Sequence, residues 1–366
     1  MKRGIIALLM LAAAAVGQTA PQSFEDLSAR AQQAYEANRP EEAAQLYAEA
    51  VKLRPDWTQG WWALGMIAYE QDRYAECRDA LTRMVEQDAS AAPGWALLGL
   101  CEFRIPQYDL AFQHLKKSHM LVPVREGGGP LLDMADYHLA LLLTRQGAFE
   151  VAQEVLVRVA LKIRNNSEML VGAGLASLRM PILPSDLPPK QRDVVTMAGK
   201  AFWDLVAQPP PQAEADFKAL VSKYPKFPNT HYFYGTYLAS HYPEQCAREF
   251  LQELKVSPDS VPARVQLVLR YIVDAKLGLA LKYAREAVAL SPESVGAQLA
   301  LAETLRAQGN DQPALAAFLE AERLDPVSPK IRLYLVNQYR ALGRVEQMRR
   351  EQAEYDRLKA EQQNWP

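Results

Sequence analysis

The feature that most constrains the fold of this chain is a repeat of 34 residues. Residue types recur at that separation in Trp61 and Trp95, Leu64 and Leu98, Gly65 and Gly99, Tyr74 and Tyr108, and Leu81 and Leu115. A period of this length is typical of a supersecondary unit whose apolar face is buried only when neighbouring units stack on it. Helix-forming residues recur throughout and the chain has only 18 glycines, so the unit is predicted to be helical.

Small residues follow the same register. Glycine stands in the middle of several predicted first helices, at Gly65, Gly99 and Gly235. A side chain of this size lets two helix backbones approach closely. Other glycines fall between the paired helices, at Gly147, Gly309 and Gly343, where the turn is expected to need a positive φ.

With these residues in place, the chain resembles the tetratricopeptide repeat family, whose 34-residue unit carries W-x2-L-G-x2-Y, then A-x3-F, then a closing proline. The predicted units begin near Phe24, Thr58, Ala92, Asp133, Val194, Pro228, Val261, Val295 and Pro329. The resemblance implies an all-α fold, a right-handed α-solenoid of tandem antiparallel helix pairs.

Two stretches depart from the period. Residues 126–132 are an insert, predicted to be a loop, and prolines interrupt the expected second helix after residue 180. Residues 181–193 are therefore predicted to be a degenerate, proline-rich connection. It divides the predicted array into an N-terminal part, residues 18–180, and a C-terminal part, residues 194–366, which ends in a charged capping helix.

Residues 1–17 are predicted to be a secretory signal peptide. Lys2 and Arg3 precede an uncharged apolar run of 12 residues, and the small residues Ala15 and Gly17 stand before a cleavage point at Gln18. At about 1.5 Å per residue, this run is shorter than the roughly 30 Å hydrocarbon core of a membrane. The mature chain is expected to be periplasmic or secreted, without stable membrane insertion.

The charged and polar residues favour neither nucleic-acid binding nor catalysis. The 41 lysines and arginines nearly balance 43 acidic residues, so no nucleic-acid partner is expected. The five histidines form no H-E-x-x-H motif and no i,i+4 pair, and no nucleophile elbow or phosphate loop is present. We therefore expect no enzyme activity, no cofactor and no metal.

The chain has three cysteines, Cys77, Cys101 and Cys246, and they show no CxxC spacing. Whether Cys77 and Cys101 form a disulfide stays an open question at this point.

The resemblance also implies where a partner binds. In the family, positions 2, 5, 9 and 12 of the first helix line a concave groove. Transferred to this chain, these positions give Trp62, Met66, Tyr69, Leu100, Phe103, Tyr137, Leu141, Tyr232, Asn337 and Arg340. Whether the aromatic residues among them are exposed or packed between helices stays open at this point. Trp61 and Trp95, at the fourth position, are expected to lie in the interior.

The expected function is that of a non-catalytic scaffold or adaptor outside the cytoplasm, which holds a protein or peptide partner in the groove. The family's carboxylate clamp expects lysine and asparagine where this chain has Ser28 and Gln32, so a chaperone tail is not the expected ligand. The alternative is a glycan-binding or cell-wall-binding protein, in which the aromatic residues stack on sugar rings.

Overall fold

The computed structural model describes residues 23–122, 129–161, 167–207 and 210–361, and within these ranges it contains helices and no strand. The predicted signal peptide, residues 1–17, lies outside the described residues. The α-helices are α1 Phe24–Glu36, α2 Pro40–Leu53, α3 Thr58–Glu70, α4 Tyr74–Gln87, α5 Ala92–Arg104, α6 Tyr108–Leu121, α7 Gly129–Arg145, α8 Phe149–Ala160, α9 Ser167–Ser177, α10 Arg192–Ala207, α11 Pro210–Lys223, α12 Thr230–His241, α13 Pro243–Val256, α14 Val261–Val273, α15 Leu277–Leu290, α16 Val295–Ala307, α17 Asp311–Leu324, α18 Pro329–Ala341 and α19 Val345–Glu361.

The described residues form two compact units, one within residues 1–89 and the other within residues 90–366. Unit 1 contains α1 to α4, and unit 2 contains α5 to α19. In both units consecutive helices joined by short turns pack against each other as antiparallel pairs, for example α1 with α2 and α5 with α6. The predicted all-α solenoid of helix pairs is confirmed, and six predicted unit starts coincide with helix starts, at Phe24, Thr58, Ala92, Val261, Val295 and Pro329.

Small residues allow the close packing within a pair, as the sequence predicts. A Cβ atom on Gly65 would lie 2.6 Å from Leu81 Cγ of the paired helix, and one on Gly99 would lie 2.6 Å from Leu115 Cγ. The glycine of one helix therefore leaves the space that a leucine of its partner fills. Any larger residue at these positions would push the two helices apart.

The turns inside the pairs use the left-handed backbone region. Gly147, Gly309 and Gly343 have φ values of 81°, 76° and 69°, which confirms the predicted positive φ. Asn38 and Asp72 occupy the corresponding turns of unit 1, each with φ of 56°. These two residue types tolerate the left-handed region better than most, so the same turn forms there without glycine.

The stretch around residue 180 departs from the predicted frame. The frame assigned α10 as a first helix that pairs with α11, but α10 packs most extensively against α9. A Cβ atom on Gly174 would lie 1.9 Å from Val195 O, and one on Gly199 would lie 1.8 Å from Leu170 O. The two backbones are thus in direct contact, because these glycines bring α9 close to α10, and α10 packs against α9 in addition to the predicted partner α11.

Residues 178–191 connect α9 to α10 through two single-turn 3₁₀ helices, Pro184–Asp186 and Pro189–Gln191. The predicted division of the array in this region stays a prediction. Of the predicted insert, residues 126–128 lie outside the described residues, and residues 129–132 are not a loop but the first turn of α7. Pro130 suits that place, since the first turn of a helix needs no backbone N–H from it.

The last helix, α19, is highly charged and among its described residues buries only Leu358. It is tied to α18 by Arg332, whose Nη1 donates to Glu351 Oε2 at 2.9 Å. Ile331 and Leu335 of α18 form part of the apolar cluster beneath it. A helix with a polar outer face solvates the end of a stacked array.

Candidate functional site

The predicted groove residues differ in how accessible they are. Trp62, Met66 and Tyr69 of unit 1 are half-buried, as are Phe103 and Asn337 of unit 2, and Arg340 is exposed. The other four are buried, with exposed fractions of 2% for Leu100, 6% for Tyr137, 4% for Leu141 and 7% for Tyr232. Most of the surface of these four side chains is packed between helices.

Specific contacts explain this burial. The Tyr137 hydroxyl donates to Glu168 O at 2.9 Å, and its ring lies against Gly172 of α9. The Tyr232 ring is covered by the Arg179 guanidinium, 5.4 Å from the ring centroid. Both tyrosines are therefore held by residues outside the regular helix pairs. Residues of α9 contact Tyr137, and Arg179, just after α9, covers Tyr232.

A cavity of about 420 Å³ lies in unit 2 on the side of α5, α7 and α9, and we call it the aromatic cavity. It unites three of the predicted residues, Phe103, Tyr137 and Leu141. The remaining lining residues are Arg104, Tyr108, His138, Glu168, Val171, Leu183, Pro184, Ser185 and Arg192. Its volume lies in the range of about 300–1,000 Å³ that is typical of ligand pockets.

The rings of the aromatic cavity are arranged edge to face. The Phe103 ring centroid lies 4.7 Å from that of His138 at 83° and 5.4 Å from that of Tyr108 at 65°. The rings of Tyr137 and His138 are 5.5 Å apart at 84°. The Arg145 guanidinium lies 4.8 Å from the Tyr108 ring centroid. Since each ring is held by another, the wall is preorganised, which lowers the ordering cost of binding.

The interior of the aromatic cavity is neutral and its rim is charged. Burial, followed by the nearby Glu168 carboxylate, raises the pKa of Tyr137, so its hydroxyl stays protonated. His138 Nδ1 donates to Met134 O at 2.8 Å, and burial lowers the pKa of its imidazole, which is therefore neutral at pH 7. Arg104 and Arg192 are exposed at the rim, together with Glu168.

Sequence reasoning missed several lining residues. Tyr108 opens a second helix, and the family's groove positions come from first helices. His138 follows the predicted Tyr137. Leu183, Pro184 and Ser185 belong to the stretch that the prolines mark only as a break. The composition of this stretch was the available signal, since a proline-rich segment that cannot continue an α-helix is expected to run over the surface of the neighbouring helices.

A second groove, of about 620 Å³, lies within unit 1 between α2 and α4. Its floor includes Trp61 and Leu64, with Ala44, Ala48 and Ala80 beside them. Trp61 was expected in the interior, but it is half-buried, and its Nε1 donates to Pro55 O at 2.8 Å. The indole N–H needs a hydrogen-bond acceptor, and its bond to Pro55 O holds the Trp61 ring at the helix surface.

Three histidines join neighbouring helices through carboxylates. His114 Nδ1 lies 2.7 Å from Glu102 Oε2, His119 Nδ1 2.7 Å from Asp136 Oδ1, and His231 Nδ1 2.7 Å from Glu249 Oε2. The hydrogen bond from His231 to Glu249 raises the pKa of that imidazole. Among the residues that the structure describes, no group of three or more His, Cys, Asp or Glu side chains could hold a metal ion.

The comparison with known proteins agrees with this architecture. The family model for the tetratricopeptide repeat matches residues 28–92 and 267–329. The chain therefore contains tetratricopeptide repeats, whose fold is that of protein–protein interaction scaffolds. No curated protein sequence matches it significantly. In the described part of the chain, no helix is both long and apolar enough to cross a membrane.

Solved structures that resemble the chain include yeast Tom70, with 13% identity over 92% of this chain and 76% of that one, at a TM-score of 0.42. The MamA RS-1 ArsTM double mutant is 18% identical over 46% of this chain and 96% of that one, at a TM-score of 0.41. A chain of the APC/C hetero-tetramer Cut9–Hcn1 is 16% identical over 91% of this chain and 72% of that one, at a TM-score of 0.35.

Proposed function

We propose that this protein is a non-catalytic scaffold outside the cytoplasm, which holds a segment of a partner protein in the aromatic cavity. The observation that carries the proposal is the convergence of Phe103, Tyr108 and His138 at a neutral cavity with a charged rim. Aromatic anchors in a preformed pocket, surrounded by polar residues, are the usual core of a protein interface.

The half-buried Phe103 gives the most direct test. A photo-crosslinking amino acid in place of Phe103 is expected to join the protein covalently to one defined partner in its native cells. In the otherwise unmodified protein, Phe103→Ala is expected to weaken capture of that partner at least about tenfold, because loss of an aromatic anchor at an interface costs about 2 kcal/mol. Affinity purification with quantitative mass spectrometry measures both effects.

The matched control for both steps is Leu279, which is 43% exposed on α15. A crosslinker at Leu279 should capture no defined partner, and Leu279→Ala should leave partner recovery unchanged. Helical circular dichroism of each variant checks the fold. The proposal is overturned if Phe103 and Leu279 give the same crosslinked species, or if Phe103→Ala retains full capture with its fold intact.

A glycan ligand is the other interpretation of aromatic residues in a groove. The lining of the aromatic cavity contains phenylalanine, tyrosine and histidine but no tryptophan, and its polar groups lie at the rim. This arrangement favours a peptide segment. Soluble cell-wall oligosaccharides are accordingly expected to leave the crosslinking at Phe103 unchanged, whereas a glycan-binding protein would lose it in a concentration-dependent manner.

Export is tested separately. If residues 1–17 are removed during secretion, the mature protein begins at Gln18. Intact-mass analysis of protein purified from its native cells is expected to show a chain that lacks these residues, recovered in the periplasmic or extracellular fraction. A cytoplasmic chain that retains Met1 would contradict the proposed location.

A further inference from the structure

His138 presents a hydrogen-bond acceptor to the aromatic cavity. Its Nδ1 lies 2.8 Å from Met134 O, one turn earlier in α7. A carbonyl oxygen only accepts, so Nδ1 carries the ring proton, and in a neutral imidazole the other nitrogen, Nε2, holds an unshared electron pair. Because Nδ1 is turned back to its own helix, Nε2 at the far end of the ring faces the cavity that His138 lines.

This acceptor has no hydrogen-bond partner within the described part of the chain. Two neighbouring donors are already used, since the Tyr137 hydroxyl donates to Glu168 O at 2.9 Å and His138 Nδ1 donates to Met134 O. In the free protein, water can donate to Nε2. A ligand that displaces this water without donating in its place leaves a buried acceptor unpaired and loses affinity.

The rings around His138 determine which kind of donor fits. Phe103 and Tyr137 stand edge to face with the imidazole, at interplanar angles of 83° and 84°. A further aromatic ring can join them in the edge-to-face or offset-stacked arrangements that such rings prefer. Indole offers a large aromatic surface and an N–H that donates and never accepts. Phenyl has no donor, and a phenol oxygen is itself an acceptor that needs a partner when buried.

We propose that the aromatic cavity binds a tryptophan side chain of the partner protein, with the indole N–H donating to His138 Nε2 and the ring packed on Phe103. This inference rests on the proposed scaffold function and specifies the anchor residue of the partner. His138 then determines specificity. The aromatic contacts admit any large ring, whereas the Nε2 acceptor rejects a ring that cannot donate, because the acceptor would be left unpaired.

Fluorescence anisotropy with a labelled alanine–serine peptide that carries one central tryptophan tests the inference on the full chain. In three matched peptides the tryptophan is replaced by phenylalanine, by tyrosine or by benzothienylalanine, which has the bicyclic shape of indole but sulfur in place of the N–H group. We expect the tryptophan peptide to bind at least about tenfold more tightly than each of the others, a difference of about 1.4 kcal/mol.

His138→Phe separates the hydrogen bond from the packing, because phenylalanine keeps a ring against Phe103 and removes the acceptor. This variant should bind the tryptophan peptide at least about tenfold more weakly and the benzothienylalanine peptide as well as wild type does. The NMR signal of the peptide's indole proton should move downfield on binding to wild type but not to His138→Phe. Leu279→Ala should change neither affinity, and circular dichroism checks the fold of each variant.

The inference is overturned if the tryptophan peptide does not bind, or if it binds no more tightly than the benzothienylalanine or tyrosine peptide. Equal loss of affinity for all peptides in His138→Phe would show that His138 only supports the cavity wall, and would also overturn it. If crosslinking at Phe103 captures a partner through a segment without tryptophan, the inference fails while the scaffold function stands. If no partner is captured at all, the scaffold proposal itself fails.

Discussion

Gly199→Ala is expected to destabilise unit 2 by about 3 kcal/mol, because the added methyl group would overlap the backbone of α9. The new Cβ atom would lie 1.8 Å from Leu170 O and 2.6 Å from Leu170 C. These are backbone atoms, so no rotamer change relieves the overlap and the helices must separate. Urea unfolding followed by circular dichroism gives the change in the free energy of unfolding.

Two glycines with free space around them are the controls. A Cβ atom on Gly278 would meet nothing within 4 Å, and the nearest atom to one on Gly296 would be Ser294 Oγ at 3.9 Å. Alanine at either position should be neutral or should stabilise by up to about 1 kcal/mol, as its helix propensity predicts. A Gly199→Ala variant as stable as these two would show that α9 and α10 are not packed backbone to backbone.

The contact also matters for the site. α9 carries Glu168 and Val171 in the lining of the aromatic cavity, and Arg192 begins α10. Separation of the two helices would move that wall away from Phe103. Gly199→Ala is therefore expected to lower partner capture at Phe103 as well as stability, whereas the alanine variants of Gly278 and Gly296 should lower neither.

Glu253→Ala is the second substitution with a large expected effect, about 3 kcal/mol of destabilisation. The Glu253 side chain in α13 is fully buried at 0% exposure and accepts hydrogen bonds from Asn229 N at 2.9 Å, Tyr232 N at 3.2 Å and Ser257 Oγ at 2.7 Å. Asn229 caps α12 but its own side chain makes no capping bond. Alanine would leave buried donors without an acceptor, at a cost of about 1–3 kcal/mol each.

Glu253→Gln separates this effect from the loss of packing. The amide keeps one acceptor oxygen and nearly the same volume, so its expected cost is smaller, about 1–2 kcal/mol. Glu320→Ala is the surface control, because Glu320 forms an exposed i,i+3 pair with Arg323 that contributes about 0.5 kcal/mol or less. If Glu253→Ala were no more costly than Glu320→Ala, the capping role would be excluded. Thermal melts of the four proteins, wild type included, make the comparison.

The sequence predicted the repeating pairs because their causes are local. Gly65 faces Leu81 within one pair, and Gly309 turns the chain between two helices that are adjacent in sequence. Each such feature depends on residues about 16 positions apart or fewer, so the 34-residue period reproduces it wherever the pattern is kept. Glu253 was not predicted, since a carboxylate on a helix carries no sign that it will cap the preceding helix.

The repeat pattern could not predict how exposed each groove residue is. Phe103 and Tyr137 both stand at predicted groove positions of their units, yet Phe103 is half-buried and Tyr137 is packed under α9. The difference comes from α9 and the segment after it, where the period fails and the register gives no guidance. Two glycines far apart in sequence, Gly174 and Gly199, decide how closely α10 approaches α9.

The sequence by itself thus determined the all-helical class, the pairing of most helices and the turns between them, since short-range sterics and apolar periodicity produce all three. Only the tertiary structure decided which groove positions remain open and which residues join Phe103 around the aromatic cavity. The physical reason is that burial depends on what packs above a side chain. At this cavity the covering chain is a non-repeating segment, and no repeat pattern encodes its path.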